Sequence, residues 1–390
     1  MSESSMHERA SDVDTLLVGA GPIGIEMAAA LRSLGHGYAH VEAGCLASTI
    51  AWYPPGTEIF SAPERLAIAG VPFVSYPHQR VTREDYLAYL RGVVAHHGLE
   101  VSLFTRVTSI ERTNDGRLCA TVAPSRQGVG GPGYSAKVGG AGAAGGAGAG
   151  AGGEIRCSNV ILGIGDMHVP RMLGIEGEGL AHVSHFMSDP HVYAQLRVVV
   201  VGGNNSACEA AVRLYRAGAR VTLVHRRAEP SGERVKPWIA IELKALIREG
   251  KVDFLGERVL GRIERERVRA DSIAGDGEVV VAADRVLLMT GYDQDASLFE
   301  RLGVELRARD RAPVFDRATM QTGVPGVYVL GTAVSGSRTG RTVHFIETSH
   351  KHVPRIARAL GHSAAAQSGA GGAFPWNLEA PDRPEDLRES

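Results

Sequence analysis

Cysteine is scarce in this chain and is not arranged for redox work. Cys45, Cys119, Cys157 and Cys208 are scattered over 390 residues, with no C-x-x-C pair and no Cys/His spacing suited to zinc. Reduced, buried thiols are the expectation for all four. Long apolar runs are missing too: none approaches the roughly 20 residues that a spanning helix needs. The first dozen residues are polar and lack the apolar core of a secretory signal. Basic excess is absent, since 42 Lys and Arg face 43 Asp and Glu for a net charge of −1. No nucleic-acid footprint follows from that balance. These absences point to a cytoplasmic protein with neither membrane nor nucleic-acid partner.

What the chain does contain is organised around Val13 to Glu42. A short apolar run ending at Val18 enters Gly19-Ala20-Gly21-Pro22-Ile23-Gly24. An apolar helical stretch and a second strand-like run follow, ending at Glu42. This is a dinucleotide-binding fingerprint in full context. Gly19 serves the tight turn, Gly21 lets a pyrophosphate approach the backbone, and Gly24 lets helix pack on strand. Pro22 would open the helix, whose N-terminal N–H groups and dipole suit an anion. Glu42 would accept hydrogen bonds from a ribose.

The remaining segments set the organisation. Residues 1–11 read as a disordered lead, and 47–76 as loops and short elements. Thr82 reads as the N-cap of a helix with Asp85 in its first turn and Leu87, Leu90 and Val94 on one face. Leu99 to Val122 alternates like an antiparallel meander, turning at Asn114-Asp115-Gly116. Gly128 to Gly153 is nearly all Gly and Ala, so it reads as a flexible insertion in that meander. Cys157 to Gly165 resumes as a buried strand, and residues 363–390 read as a disordered tail.

Arg197 to Arg227 repeats the first unit. Gly202 aligns with Gly19, Asn204 with Gly21, Ala207 with Gly24 and Glu209 with Glu26, and Gly202 to His225 spans the same length as Gly19 to Glu42. Each unit closes with a strand and glycine, at Gly165 and at Gly291. Two such units in one chain argue for two dinucleotide-binding domains. Their ends differ. Glu42 suits a free ribose 2′-hydroxyl, whereas His225-Arg226-Arg227 offers two guanidiniums to a 2′-phosphate. The first site is therefore expected to hold an adenine dinucleotide without that phosphate and the second NADPH. The second set comprises Gly202, Gly203, Asn204, Asn205, Ser206, His225, Arg226, Arg227 and Lys236. Asn204 departs from glycine, but asparagine tolerates the left-handed conformation. The expected fold is α/β, with two Rossmann-like, three-layer ββα domains. The first domain, which the resemblance given below makes the FAD domain, is placed at 12–190 and 292–362, and the NADPH domain is inserted at 191–291. A third segment, Gly323 to Gly331, is a turn and buried strand ahead of a helix from about His344 to Leu360.

Together these segments resemble the pyridine-nucleotide flavoproteins of the low-molecular-weight thioredoxin reductase type. Within that group the chain is most similar to the YpdA-type bacillithiol disulfide reductases. Ser48 to Pro54, Phe60 to Leu66, Val198 to Ala207, Lys236-Pro237-Trp238-Ile239, Met289 to Tyr292 and Phe345-Ile346-Glu347 carry the resemblance. It implies FAD and NADPH as cofactors, and Gly331-Thr332 as the place that meets the flavin's ribityl chain, where many relatives have Gly-Asp. It also implies a small disulfide as electron acceptor. Two departures bear on that activity. The redox cysteines of thioredoxin reductases fall on His185-Phe186-Met187-Ser188, and the cysteine that bacillithiol-type reductases place after the first Gly-Pro is Ile23 here. Thiol–disulfide exchange at either place is closed to these side chains.

Other residues have open roles. His344 and Glu347 are candidates to lie near the flavin, while His350 and His352 read as surface or cap residues. Trp52 and Tyr53 fit the flavin or the core equally. The expected function is transfer of hydride from NADPH to FAD and onward to a small-molecule or small redox-protein acceptor, with homo-oligomerisation left open. Alternatives are a flavin monooxygenase, a ferredoxin- or flavodoxin-type NADPH reductase, and a redox-sensing binding protein. Against the monooxygenase, Gly179 and His182 have the wrong spacing for its linker motif and lack the leading Phe.

Overall fold

The apolar run at the head of the chain forms strand β1 (Ser11–Val18), in which Leu16 and Leu17 have no exposed surface. It lies inside a sheet with a parallel neighbour on each side, β2 (Tyr38–Val41) and β5 (Gly153–Leu162). Strands covered on both faces read as continuous hydrophobic runs, and this one does. The computed structural model describes residues 11–75, 80–125, 152–230, 235–275, 277–337 and 344–361. The tail at 363–390 and all but the last two residues of the Gly/Ala stretch lie outside them. Gly153, placed in that stretch from sequence, opens β5 instead, and Ser11, placed in the lead, opens β1.

Between β1 and β2 runs helix α1 (Pro22–Ser33), buried from Ile23 to Leu31, which packs against α4 (Arg83–His96) and α9 (His352–Ala359). Two short helices, α2 (Ser48–Ala51) and α3 (Pro63–Leu66), interrupt the loop-rich stretch that follows β2. Helix α4 begins with a full capping box: Asp85 N–H donates to Thr82 Oγ1 at 3.2 Å, and Thr82 N–H to Asp85 Oδ2 at 3.0 Å. Its buried face is Tyr86, Leu90 and Val93, one position away from the expected Leu87 and Val94. The cause is Tyr86, whose ring stacks with Phe73 and Tyr89 and whose hydroxyl bonds to Leu66 O. The meander is formed by β3 (Thr105–Arg112) and β4 (Leu118–Pro124), with β4 antiparallel to the first half of β5. The second half of β5 pairs in parallel with β16 (Val327–Val329).

The chain leaves this unit near β6 (Val169–Pro170) and re-enters near β15 (Tyr292–Asp293). Among the described residues the first unit takes those up to Trp52, then Gly56–Val169 and Asp293 onward; the second takes Tyr53–Pro55 and Pro170–Tyr292. The boundary thus falls before 190, because β7 (Val183–Ser184) pairs with β14 (Arg285–Leu288) of the second unit.

The second unit is built on β8 (Arg197–Val201), α5 (Asn205–Arg216), β9 (Arg220–Val224), α6 (Pro237–Arg248) and β10 (Val252–Leu255). Its parallel sheet runs β10-β9-β8-β14-β7. Alternation along β8 divides two cores. Val198 and Val200 cluster with Ala207, Leu214, Ile239 and Leu243 of the helices. Val199 and Val201 cluster with Leu260, Ile263 and Val268 from the antiparallel meander of β11 (Arg258–Ile263), β12 (Arg267–Ser272) and β13 (Glu278–Ala282). Helix, parallel sheet and antiparallel sheet make three layers.

After β15 the first unit resumes with α7 (Ser297–Arg301) and β16. The expected single helix from His344 is two, α8 (Ile346–Ser349) and α9. Pro354 explains the break. It has no N–H for the carbonyl four residues earlier and its ring collides there, so a helix must restart with proline in its first turn.

Candidate functional site

The first fingerprint is a turn jammed against its helix. Gly19 has φ +105°, and a Cβ there would lie 2.3 Å from Gly163 O. A Cβ on Gly24 would lie 2.1 Å from Gly19 O, so only glycine permits this approach of helix to strand. Around Gly21 nothing comes within 4 Å of a Cβ position. The backbone there is open to a bulky anion, and Pro22 leads α1 with no side-chain cap on its free N–H groups. This cradle fits a pyrophosphate.

Glu42 is buried and stitches the turn closed. Its carboxylate accepts from Ala20 N–H at 2.7 Å, Gly44 N–H at 2.8 Å and the Ser48 hydroxyl at 3.1 Å. Three of a carboxylate's roughly four acceptor positions are thereby used. Sequence reasoning missed its neighbour His40, 3% exposed, whose Nε2 lies 3.0 Å from Gly19 O. Since a carbonyl only accepts, Nε2 carries the proton, and Nδ1 is buried without a partner among the described residues. Burial drives the His40 pKa down to about 4, against the pull of that hydrogen bond.

The flavin-side residues are also brought together. Gly165 has φ +81°, with Thr332 Oγ1 4.0 Å from its Cβ position; a Cβ on Gly331, φ +64°, would lie 3.6 Å from the Ile23 side chain. Gly331 N–H donates to His352 Nδ1 at 3.1 Å. His352 is therefore a buried acceptor, not the expected surface or cap residue. Burial, then the charges of His344 and Arg355, lowers its pKa to about 3. His350 caps the end of α8, as expected, and its Nδ1 lies 2.8 Å from the carboxylate of buried Glu26. Burial alone would depress His350, but the bond and attraction to Glu26 outweigh it and raise the pKa. Glu347 accepts from Ser61 Oγ at 2.8 Å.

The second fingerprint distributes its tight contacts differently. Gly202, φ +144°, would place a Cβ 2.6 Å from Met289 O and 2.8 Å from the Ala207 side chain. At Gly203 a Cβ would meet the His225 ring at 2.3 Å. Asn204 is extended, φ −98°, and not left-handed; it N-caps α5 without a side-chain bond, leaving the helix N–H groups available. Asn205 Oδ1 accepts from Lys236 N–H at 2.8 Å, tying the fingerprint to the start of α6. Ser206, Arg226 and Arg227 are exposed. Burial, then Arg227 and Arg226, lowers the His225 pKa. An exposed guanidinium pair beside a glycine turn and an uncapped helix start fits a nucleotide with an extra phosphate.

No thiol is activated. Burial lifts Cys157 to about 11 and Cys208 to about 12. Burial and then Glu42 raise Cys45, and burial and then Glu154 raise Cys119. Reactive thiols sit in electropositive settings that lower their pKa, the reverse of these four. Among the described residues no group of His, Cys, Asp and Glu is placed to hold a metal, and no helix is long and apolar enough to cross a membrane.

Two nucleotide-binding units, one closed by a carboxylate and one by guanidiniums, define a class of two-cofactor oxidoreductase. The family model for pyridine nucleotide-disulphide oxidoreductases matches residues 16–124 and 150–331, and the chain belongs to that family. It is an NADPH-dependent flavoprotein that uses FAD. It is 29% identical over 346 residues to the bacilliredoxin reductase Bdr of Bacillus subtilis, covering 88% of this chain and 96% of that one. The solved structure of bacillithiol disulfide reductase Bdr (YpdA) from Bacillus cereus superposes with a TM-score of 0.78 at 26% identity, over 90% of this chain and 99% of that one. A ferredoxin–NADP reductase of Ignicoccus hospitalis is 27% identical over 328 residues, 82% of this chain and 89% of the relative.

Proposed function

We propose that the chain passes reducing equivalents from NADPH through FAD to a small disulfide of the low-molecular-weight thiol class. The net reaction is NADPH + H⁺ + RSSR → NADP⁺ + 2 RSH. The observation that carries this reading is the similarity to the Bacillus subtilis bacilliredoxin reductase, which extends through both dinucleotide units. Bound FAD supplies a carrier that takes hydride from the nicotinamide and gives it up again.

In this reading the chain's own groups bind and orient. Gly19, Gly21, Gly24 and the start of α1 hold the FAD pyrophosphate, Glu42 takes a ribose hydroxyl on its remaining acceptor position, and Gly165, Gly331 and Thr332 line the flavin half. Gly202, Gly203 and the Asn204-Asn205-Ser206 start of α5 hold the NADPH pyrophosphate. Arg226 and Arg227 chelate its 2′-phosphate, with His225 and Lys236 beside them. The acceptor takes its electrons without a protein thiol, because Ile23 replaces the cysteine of relatives and all four thiols are raised. The proposed setting is the cytoplasm.

The same lack of an activated thiol favours a second reading, reduction of a ferredoxin-type protein acceptor, as the Ignicoccus relative's name describes for that protein. The test is anaerobic: protein reduced with one equivalent of NADPH is mixed in turn with bacillithiol disulfide, glutathione disulfide and ferredoxin. Flavin re-oxidation with stoichiometric thiol release from a small disulfide is expected. Re-oxidation by ferredoxin alone would replace the first reading with the second.

A further inference from the structure

Gln294 stands just past β15, where the chain re-enters the first unit, and is 8% exposed. Its Nε2 donates to two carbonyls, Gly165 O at 2.8 Å and Ala333 O at 2.9 Å. Carbonyl oxygens only accept, so these partners fix which end of the amide is nitrogen. One side chain thereby clasps the turn after β5 to the 3-10 turn Gly331–Ser335. His168 holds the same segment from the other side. Its N–H donates to Asp293 O at 3.2 Å, its Nδ1 accepts from Asp295 N–H at 2.9 Å, and its Nε2 meets Ile164 O at 2.8 Å. The clasp is rigidly supported.

Both amide hydrogens of Gln294 are spent, so Oε1 is purely an acceptor. It is buried with no partner among the described residues. A second buried polar atom without a partner there, Ser335 Oγ, lies on the 3-10 turn that Gln294 clasps. Native proteins rarely leave such groups unmet, because each forfeits its bonds to water. Two on one clasp point to a ligand carrying several hydroxyls.

We propose that Gln294 is a cofactor-binding and positioning residue whose Oε1 accepts a hydrogen bond from a ribityl hydroxyl of FAD. A polyol chain suits the pair, since a hydroxyl both donates, as Oε1 requires, and accepts, as Ser335 can use. Gln294 then reads the cofactor with its oxygen while its nitrogen fixes Gly165 and the Thr332 turn. The inference rests on the chain's use of FAD and is independent of the electron acceptor, so it can fail without the proposed reaction failing.

The test is a double-mutant cycle between protein and cofactor. Full-length protein, stripped of flavin and reconstituted, is titrated with FAD and with FAD lacking the ribityl 2′-, 3′- or 4′-hydroxyl, following flavin fluorescence. Melting temperatures of each reconstituted form are recorded alongside. One analogue is expected to bind the unmodified protein about 10-fold more weakly than FAD does, the scale of one buried hydrogen bond. Gln294→Met is expected to bind FAD about 10-fold more weakly and not to distinguish FAD from that analogue. An equal penalty for the analogue in both proteins would overturn the proposal. So would tight binding of all three analogues to the unmodified protein, an outcome that needs no variant to fold.

Discussion

The two fingerprints share a length and differ in where they are tight and how they are closed. In the first, helix and turn are in contact at Gly24, and the buried Glu42 carboxylate is bonded back into the turn at Ala20. In the second, Ala207 stands at the Gly24 position and Gly202 takes up the close contact, while exposed Arg226 and Arg227 follow the strand. One site is sealed by a negative group that the protein satisfies in three of its acceptor positions; the other ends in exposed positive groups. A shared glycine spacing is thus made tight at different places in the two turns, and the residues at the end of the second strand give the two turns opposite charge.

The largest effect should come from filling the tight contact. Gly24→Val is expected to cost about 3 kcal/mol or more and abolish flavin binding, because the obstacle is backbone that cannot move aside. Gly21→Ala should leave the unfolding free energy within about 0.5 kcal/mol of the unmodified protein, while weakening FAD. Gly203→Ala should fall between them, since the obstacle is the His225 ring. Thermal unfolding and flavin content check all three, and equal costs at Gly24 and Gly21 would break the comparison.

Acid should act next, and on the first fingerprint. The His40 pKa falls from an ordinary 6.5 to about 4 on folding, so the unfolded chain binds the extra proton between those values. Stability is then full above about pH 6.5 and declines toward pH 4, by up to about 3 kcal/mol. His352 adds in the same direction. His350 has the opposite sign: its raised pKa stabilises below about pH 6.5, and that contribution fades as pH rises through the folded value. Flavin release followed against pH, with His40→Gln flattening the acid limb and His350→Gln the alkaline one, is the measurement. An acid limb unchanged in His40→Gln would refute the assignment.

A smaller effect is expected at the cationic end. Replacing Arg226 and Arg227 by alanine should lower the preference for NADPH over NADH by roughly 1.5–3 kcal/mol, the value of charge-assisted bonds. The ratio of the two kcat/KM values reports it directly, and an unchanged ratio would mean that these arginines only solvate the strand end.

How much of this was legible in the sequence depends on whether a signal was local. The glycine spacings, the Thr82 capping box and the turn at Gly116 each lie within a few residues, and each can be read off the chain. Pro354 is a local signal as well, and it splits the single helix expected from His344. The α4 face slipped by one position because Tyr86 is placed by Phe73 and Leu66, which no helical period reveals. His40 looks like any strand residue until Gly19 O is found beside it, and Gln294 like any loop residue until Gly165 and Ala333 are. These polar partners in the first unit are tertiary facts.

Thiol-independent electron transfer from NADPH to FAD is tested by single-turnover flavin bleaching under anaerobic conditions, with Cys45, Cys119, Cys157 and Cys208 all replaced by serine or alanine. Hydride transfer between two nucleotides needs proximity and orientation, not a thiol. NADPH is expected to bleach the flavin of this variant about as fast as that of the unmodified protein, and NADH far more slowly. Loss of bleaching in a variant that still binds FAD, or equal rates with NADH and NADPH, would contradict it.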